Sequence, residues 1–169
     1  MFGAGIWSRM AALCAVTALL AGCDSKEDTY IETPDPDPRL DAAISEARAS
    51  LPTFWSKFDR RKAGEGDYLV KAGMKTTGGG TEHIWMDVLD HSADKITGRL
   101  ANEPEHLSGL SIGSQVEVDV RDVSDWAYSR DGKFYGHFTT RVLSERMPPD
   151  VRAQADRMLA PTPLEPEAH

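Results

Sequence analysis

Residues 81–90, TEHIWMDVLD, decide the architecture. Apolar Ile84, Met86 and Val88 recur at every second residue, with His83, Trp85, Asp87 and Leu89 in the gaps. A period of two sends successive side chains to opposite faces, so the segment reads as a β-strand with a core side and a second side. Glu82 falls on the Ile84 side, where an ionised carboxylate needs a donor or the end of the strand. The adjacent pair Glu82-His83 is split between the faces and poorly placed to act on one atom. His83 with Trp85 is the sharper pairing.

The same period extends outward through Tyr68–Lys75, Glu82–Asp90, Lys95–Ala101, Gln115–Val120, Asp125–Arg130 and Lys133–Leu143. Asp131-Gly132 between aromatic segments predicts a two-residue hairpin turn, with Arg130 opposite Lys133, Tyr128 opposite Tyr135 and Trp126 opposite His137. Ahead of the strands, Leu40, Ala43, Ile44 and Ala47 have helical spacing over Arg39–Ser50, with Asp37 as N-cap and Pro38 in the first turn. A second short helix is expected from Ser50-Leu51-Pro52, carrying Phe54, Trp55 and Phe58 and ending at Gly64 and Gly66. A last helix covers Pro149–Leu159. The fold class is α+β: an antiparallel, open or barrel-like sheet of about five or six strands, N-terminal helices and a C-terminal helix.

The chain of 169 residues divides into four parts. Residues 1–22 hold Arg9 and the apolar run Met10–Ala21, too short for a comfortable span and ending in small residues, as a secretory signal does. Leu20-Ala21-Gly22-Cys23 resembles the bacterial lipobox, which implies cleavage before a lipidated Cys23. Residues 23–38 then form an acidic, proline-punctuated tether of extended character. Residues 39–160 make one domain, and residues 161–169, PTPLEPEAH, a disordered tail. Cys14 and Cys23 are the two cysteines, so the mature domain has none for a disulfide or a thiolate site. Net charge is −8, and one unit more negative without residues 1–22. That balance argues against nucleic acid and against attraction to anionic headgroups. Attachment to a membrane is expected through acyl chains, on a periplasm-facing envelope surface, with the choice between inner and outer membrane open.

Catalytic patterns are sparse. There is no Gly-x-Ser-x-Gly elbow, and Gly78-Gly79-Gly80 lacks the lysine and helix of a phosphate loop. His83, His91, His106 and His137 have no metal-ligand spacing, so neither metal nor cofactor is expected. The richest surface by alternation unites His83 and Trp85 with Trp126, Tyr135, His137 and Arg141, and Asp125 beside them. Such a set of aromatic, imidazole and guanidinium groups suits binding. The competing reading puts both tryptophans beneath a helix.

The strings EHIWMDVL, GRLANEP, IGSQVEV and SDWAYSRDGKFYGHFTTRVL resemble the YegJ-like family, domain of unknown function 2314, across about Leu51 to Met147. Matching positions are Glu82, His83, Trp85, Asn102, Pro104, Gly113, Asp125, Trp126, Gly132, Gly136 and Arg141; Gly113-Ser114 departs from the family's Gly-Asp. The resemblance implies a fold and marked positions, and no activity. Physically, Asn102 and Pro104 suit a turn, Gly132 a positive φ, and Gly136 a close approach. Asp125 is placed to accept from Arg141 or the Trp85 indole.

The leading expectation is a lipid-anchored, non-enzymatic binding module for an envelope protein or small ligand. A hydrolase or metal-assisted enzyme using His83, Glu82 and His137 is the first alternative, and an immunity or inhibitor-like protein the second.

Overall fold

The computed structural model describes residues 37–166. At its centre lies β1 (Glu65–Lys75), paired antiparallel with β2 (Thr81–His91) on one side. On its other side β1 pairs antiparallel with β5 (Val123–Arg130). Beyond β2 come β3 (Lys95–Leu100) and β4 (Gln115–Asp119), and beyond β5 comes β6 (Lys133–Gly136). The order is β4-β3-β2-β1-β5-β6, all antiparallel. The sheet is open, with β4 and β6 as its edges; the barrel-like option is not taken. The α+β class stands.

One face of the sheet is covered by α1 (Pro38–Arg60), a single helix where two were expected. Asp37 caps it through a bond from the Arg39 amide (3.0 Å), and Pro38 occupies the first turn. Pro52 lies inside it without ending it. The proline is on the exposed side, where the one carbonyl it leaves unpaired can face water. Leu51, Phe54 and Phe58 on the other side are buried against the sheet, and that packing holds both halves in line. Ile84, Met86 and Val88 of β2 join this core, as their alternation requires.

Two further helices follow β6: α2 (Phe138–Ser144) and α3 (Pro149–Met158). The strand expected to run from Lys133 to Leu143 stops at Gly136. Gly136 (φ 77°) and His137 (φ 54°) are both left-handed, and two such residues in succession turn the chain out of the sheet. Gly136 also lies against the Trp126 carbonyl, where any Cβ would collide. Asp131 (φ 51°) and Gly132 (φ 76°) form the expected hairpin turn, with Arg130↔Lys133 and Tyr128↔Tyr135 in register.

The end of the chain is docked over residues 161–166, contrary to the disordered tail expected there. Leu159 bridges Phe134, the Ala160 N–H donates to Phe134 O (2.8 Å), and the Gly136 N–H donates to Pro163 O (2.7 Å). A sheet edge needs partners for its backbone groups, and this segment supplies them to β6. The segment expected to be a signal, Cys23 and the expected tether up to residue 36 lie outside the described residues. Among the described residues no helix is long and apolar enough to cross a membrane.

Candidate functional site

The face opposite α1 is organised around Lys71. In register, Lys71 pairs with Trp85 on β2 and with Asp125 on β5, and Gly73 pairs with His83. The Lys71 ammonium stands 5.7 Å from the centre of the Trp85 ring, within cation–π range. On the β5 side the left-handed turn at His137 swings its imidazole onto this same face, 4.8 Å from the Trp85 ring and 5.4 Å from Phe134. Trp85 is enclosed by this company, at 7% exposure. Lys71, His83, His137 and Arg141 are each half-buried around it.

Both imidazoles are held neutral. Burial, with Lys71 and Arg48 nearby, lowers the pKa of His83. Burial, with Arg141 and Lys71, takes His137 down to about 3. His83 Nδ1 lies 2.9 Å from Ser124 Oγ, and that hydroxyl donates to the Lys71 carbonyl (3.3 Å). With the hydroxyl proton so used, Nδ1–H of His83 is the donor of the first bond. Ser124 is 2% exposed, so it orients the ring and is no accessible nucleophile. His137 Nδ1 pairs with Thr140 Oγ1 (3.1 Å).

The carboxylates expected to serve this site are committed to backbone. Asp125 is fully buried and accepts from the amides of Trp126 (2.8 Å), Phe138 (3.0 Å) and Thr139 (2.8 Å) and from the Thr139 hydroxyl (2.6 Å). It caps the start of α2 and receives no hydrogen bond from Arg141 or the Trp85 indole. Burial raises its pKa while those bonds pull the other way. Glu82 accepts from the amides of Glu105 (2.9 Å) and His106 (2.8 Å), pinning that loop to β2. The trio His83, Glu82 and His137 therefore does not assemble as an acid/base set. Among the described residues no group of three His, Cys, Asp or Glu is placed to hold a metal ion.

The surface expected from alternation is divided between the two faces. Trp126 is fully buried beneath α1, its indole N–H donating to Ala47 O (2.9 Å) and its ring against Phe54 and Phe138. Tyr135 is half-buried on that side too, stacked on Tyr128 at 5.4 Å. His83, Trp85 and His137 share the opposite face. Arg141 contributes its Nε to Gly136 O (3.0 Å), and one Nη is enclosed with no hydrogen-bond partner among the described residues. Asn102 forms no purely local turn: its Oδ1 accepts the Trp85 amide (3.2 Å), extending the ladder while the Ala101 N–H meets Trp85 O (2.9 Å). Pro104 follows, half-buried, just before the amides held by Glu82. Sequence reasoning passed over Lys71 and Ser124. Lys71 was within reach, since it alternates with Val70 and Ala72; Ser124 sits at a register shift that no periodicity marks.

Fold and site together define a small α+β domain with one helix-covered sheet face and one cationic, aromatic face. The chain belongs to the bacterial family described as "Uncharacterized protein conserved in bacteria (DUF2314)", whose profile matches residues 37–160. It is 28% identical over 140 residues to the uncharacterized protein YegJ of Escherichia coli, covering 83% of this chain and 88% of that protein. It is also 36% identical over 75 residues to a putative ankyrin repeat protein of Neisseria meningitidis serogroup B, covering 44% of this chain and 30% of that protein. No solved structure matches it.

Proposed function

We propose that the chain is a lipid-anchored envelope protein whose folded domain is a non-enzymatic binding module, with its site on the sheet face around Trp85 and His137. One observation carries the reading: Trp85, His137 and the Lys71 ammonium converge on that face, while Asp125 and Glu82 are committed to backbone amides. An enclosed aromatic rimmed by cationic and imidazole groups suits a ligand that brings negative charge and a flat or apolar part. Two neutral imidazoles with no carboxylate to orient them favour recognition over general acid/base work. The lipobox-like LAGC at residues 20–23 supports anchoring through Cys23.

The test uses the full-length chain cross-linked in its native envelope. Lys71→Glu should abolish capture of a partner that the wild type retains, whereas Arg121→Glu, on an exposed site elsewhere, should leave it intact. Capture unchanged by Lys71→Glu removes the proposed face. Mass spectrometry of the mature N terminus should show an acylated Cys23, and Cys23→Ala should release the protein from membranes. An intact, unmodified N terminus sinks the anchor.

A further inference from the structure

Glu165 has one of the most completely satisfied carboxylates among the described residues. It receives Lys57 Nζ at 2.7 Å, the Tyr128 hydroxyl at 2.6 Å and Arg130 Nη1 at 2.8 Å. Burial pushes its pKa up, but the bonds from Lys57, Tyr128 and Arg130 prevail and bring it down to about 2. The pocket is built from three separate elements: Lys57 from α1, Tyr128 and Arg130 from β5, and Glu65 from β1. Glu65 Oε1 is 3.8 Å from Lys57 and has no hydrogen-bond partner. Without Glu165, Lys57 would keep only Glu65 at 3.8 Å and Arg130 only the exposed Asp131 at 3.6 Å, so the pocket favours a further carboxylate at hydrogen-bond distance.

The backbone around Glu165 repeats a known mode of peptide recognition. Main chain lies along the edge of β6 through one bridge at Leu159, Ala160 N–H to Phe134 O and Gly136 N–H to Pro163 O, bending over 161–164, while one side chain fills a specific pocket. What joins this segment to the domain is loosely held. No side chain of α3 is buried, and Val151 and Leu164 are 41% and 36% exposed. Within the segment Ala160 is buried, but it stands outside the main apolar cluster packed between α1 and the sheet.

We propose that the β6 edge, with Lys57, Tyr128 and Arg130, is a peptide-binding groove that residues 159–166 of the chain occupy in cis. Its ligand is an extended peptide carrying a glutamate carboxylate. The carboxylate pocket of Lys57, Tyr128 and Arg130 lies on the α1 side of the sheet, opposite the Trp85 ring, and peptide binding there is read separately from capture at the other face.

A labelled synthetic peptide LAPTPLEP, the sequence of residues 159–166, titrated into the full-length chain tests the groove by fluorescence anisotropy. A tethered competitor acts at millimolar effective concentration, so Glu165→Ala should bind the peptide roughly tenfold more tightly than the wild type. A peptide with glutamine in place of its glutamate should lose that gain. Amide hydrogen exchange on the wild-type chain supplies the second arm: Ala160 and Gly136 should exchange together, and roughly tenfold or more faster than the Val70 and Met86 amides of the central strands. Equal peptide affinity for folded wild type and folded Glu165→Ala overturns the proposal. So does exchange of Ala160 and Gly136 at the rate of the central strands, an outcome that decides the matter even if the variant fails to fold.

Discussion

Trp126 and Trp85 stand one register step apart and do opposite things. Val70 pairs with Met86 on one side and Trp126 on the other, while the next residue, Lys71, pairs with Trp85 and Asp125. Trp126 goes under α1 and spends its indole N–H on the helix backbone; Trp85 goes to the other face and meets a lysine and an imidazole. The lesson is that the neighbours a face supplies set a tryptophan's role. On one side they are Phe54, Tyr128 and Phe138, and on the other they are ionisable.

The sharpest way to break this contrast is to truncate each side. Trp126→Ala should cost about 4 kcal/mol, in the range for large aromatic deletions in a core, measured by urea unfolding. Asp125→Ala should cost about 3 kcal/mol, because it strands buried amides of Trp126, Phe138 and Thr139. Trp85→Ala should cost about 2 kcal/mol, the value of covering an aromatic side chain outside the main cluster. If Trp85→Ala proves the more damaging of the two tryptophan variants, the faces have been assigned the wrong way round.

A smaller effect sharpens the second face through pH. The unfolded chain binds a proton on His137 near the ordinary value of 6.5, which the folded chain accepts only at about 3. The unfolded state therefore holds more protons across that window, and stability should fall as pH drops through it. His137→Gln should flatten the slope between those limits in a pH series of thermal unfolding. Glu165 adds a separate decline at lower pH, lost as the medium approaches about 2, and Glu165→Gln should remove that part alone. The least effect on stability is expected from Lys71→Glu, within about 1 kcal/mol for a half-buried position, although it should abolish partner capture.

Much of the fold was legible because burial and period coincide. Ile84, Met86 and Val88 announce the core face of β2, and Asp131-Gly132 fixes the β5–β6 register without any tertiary information. What escaped was conformation set by a single residue or by distant partners. Lys133–Leu143 keeps an alternating pattern, but left-handed backbone at His137 carries Trp126 and His137 to opposite faces, and alternation cannot express that. Pro52 looked like a helix start because a proline's local preference does not reveal which side of a helix packs. Asp125 and Glu82 looked like candidates for chemistry because a sequence cannot show which carboxylates are consumed by amides more than ten residues away. Glu165 sat in a stretch whose composition argued for disorder, and three donors from α1 and β5 overrule composition.

The strand order has a consequence for how the chain reaches its native state. β1 through β4 form a meander of sequential neighbours, but β5 must return past three strands to pair with β1, matching Val70 with Trp126. Loop closure across such a separation loses entropy before any contact rewards it. The meander is therefore expected to be the early folding unit, and docking of the β5–β6 hairpin the slow step. Core substitutions in β4 should slow refolding more than equally destabilising ones in β5, whose contacts with β1 form last and whose loss should show mainly as faster unfolding.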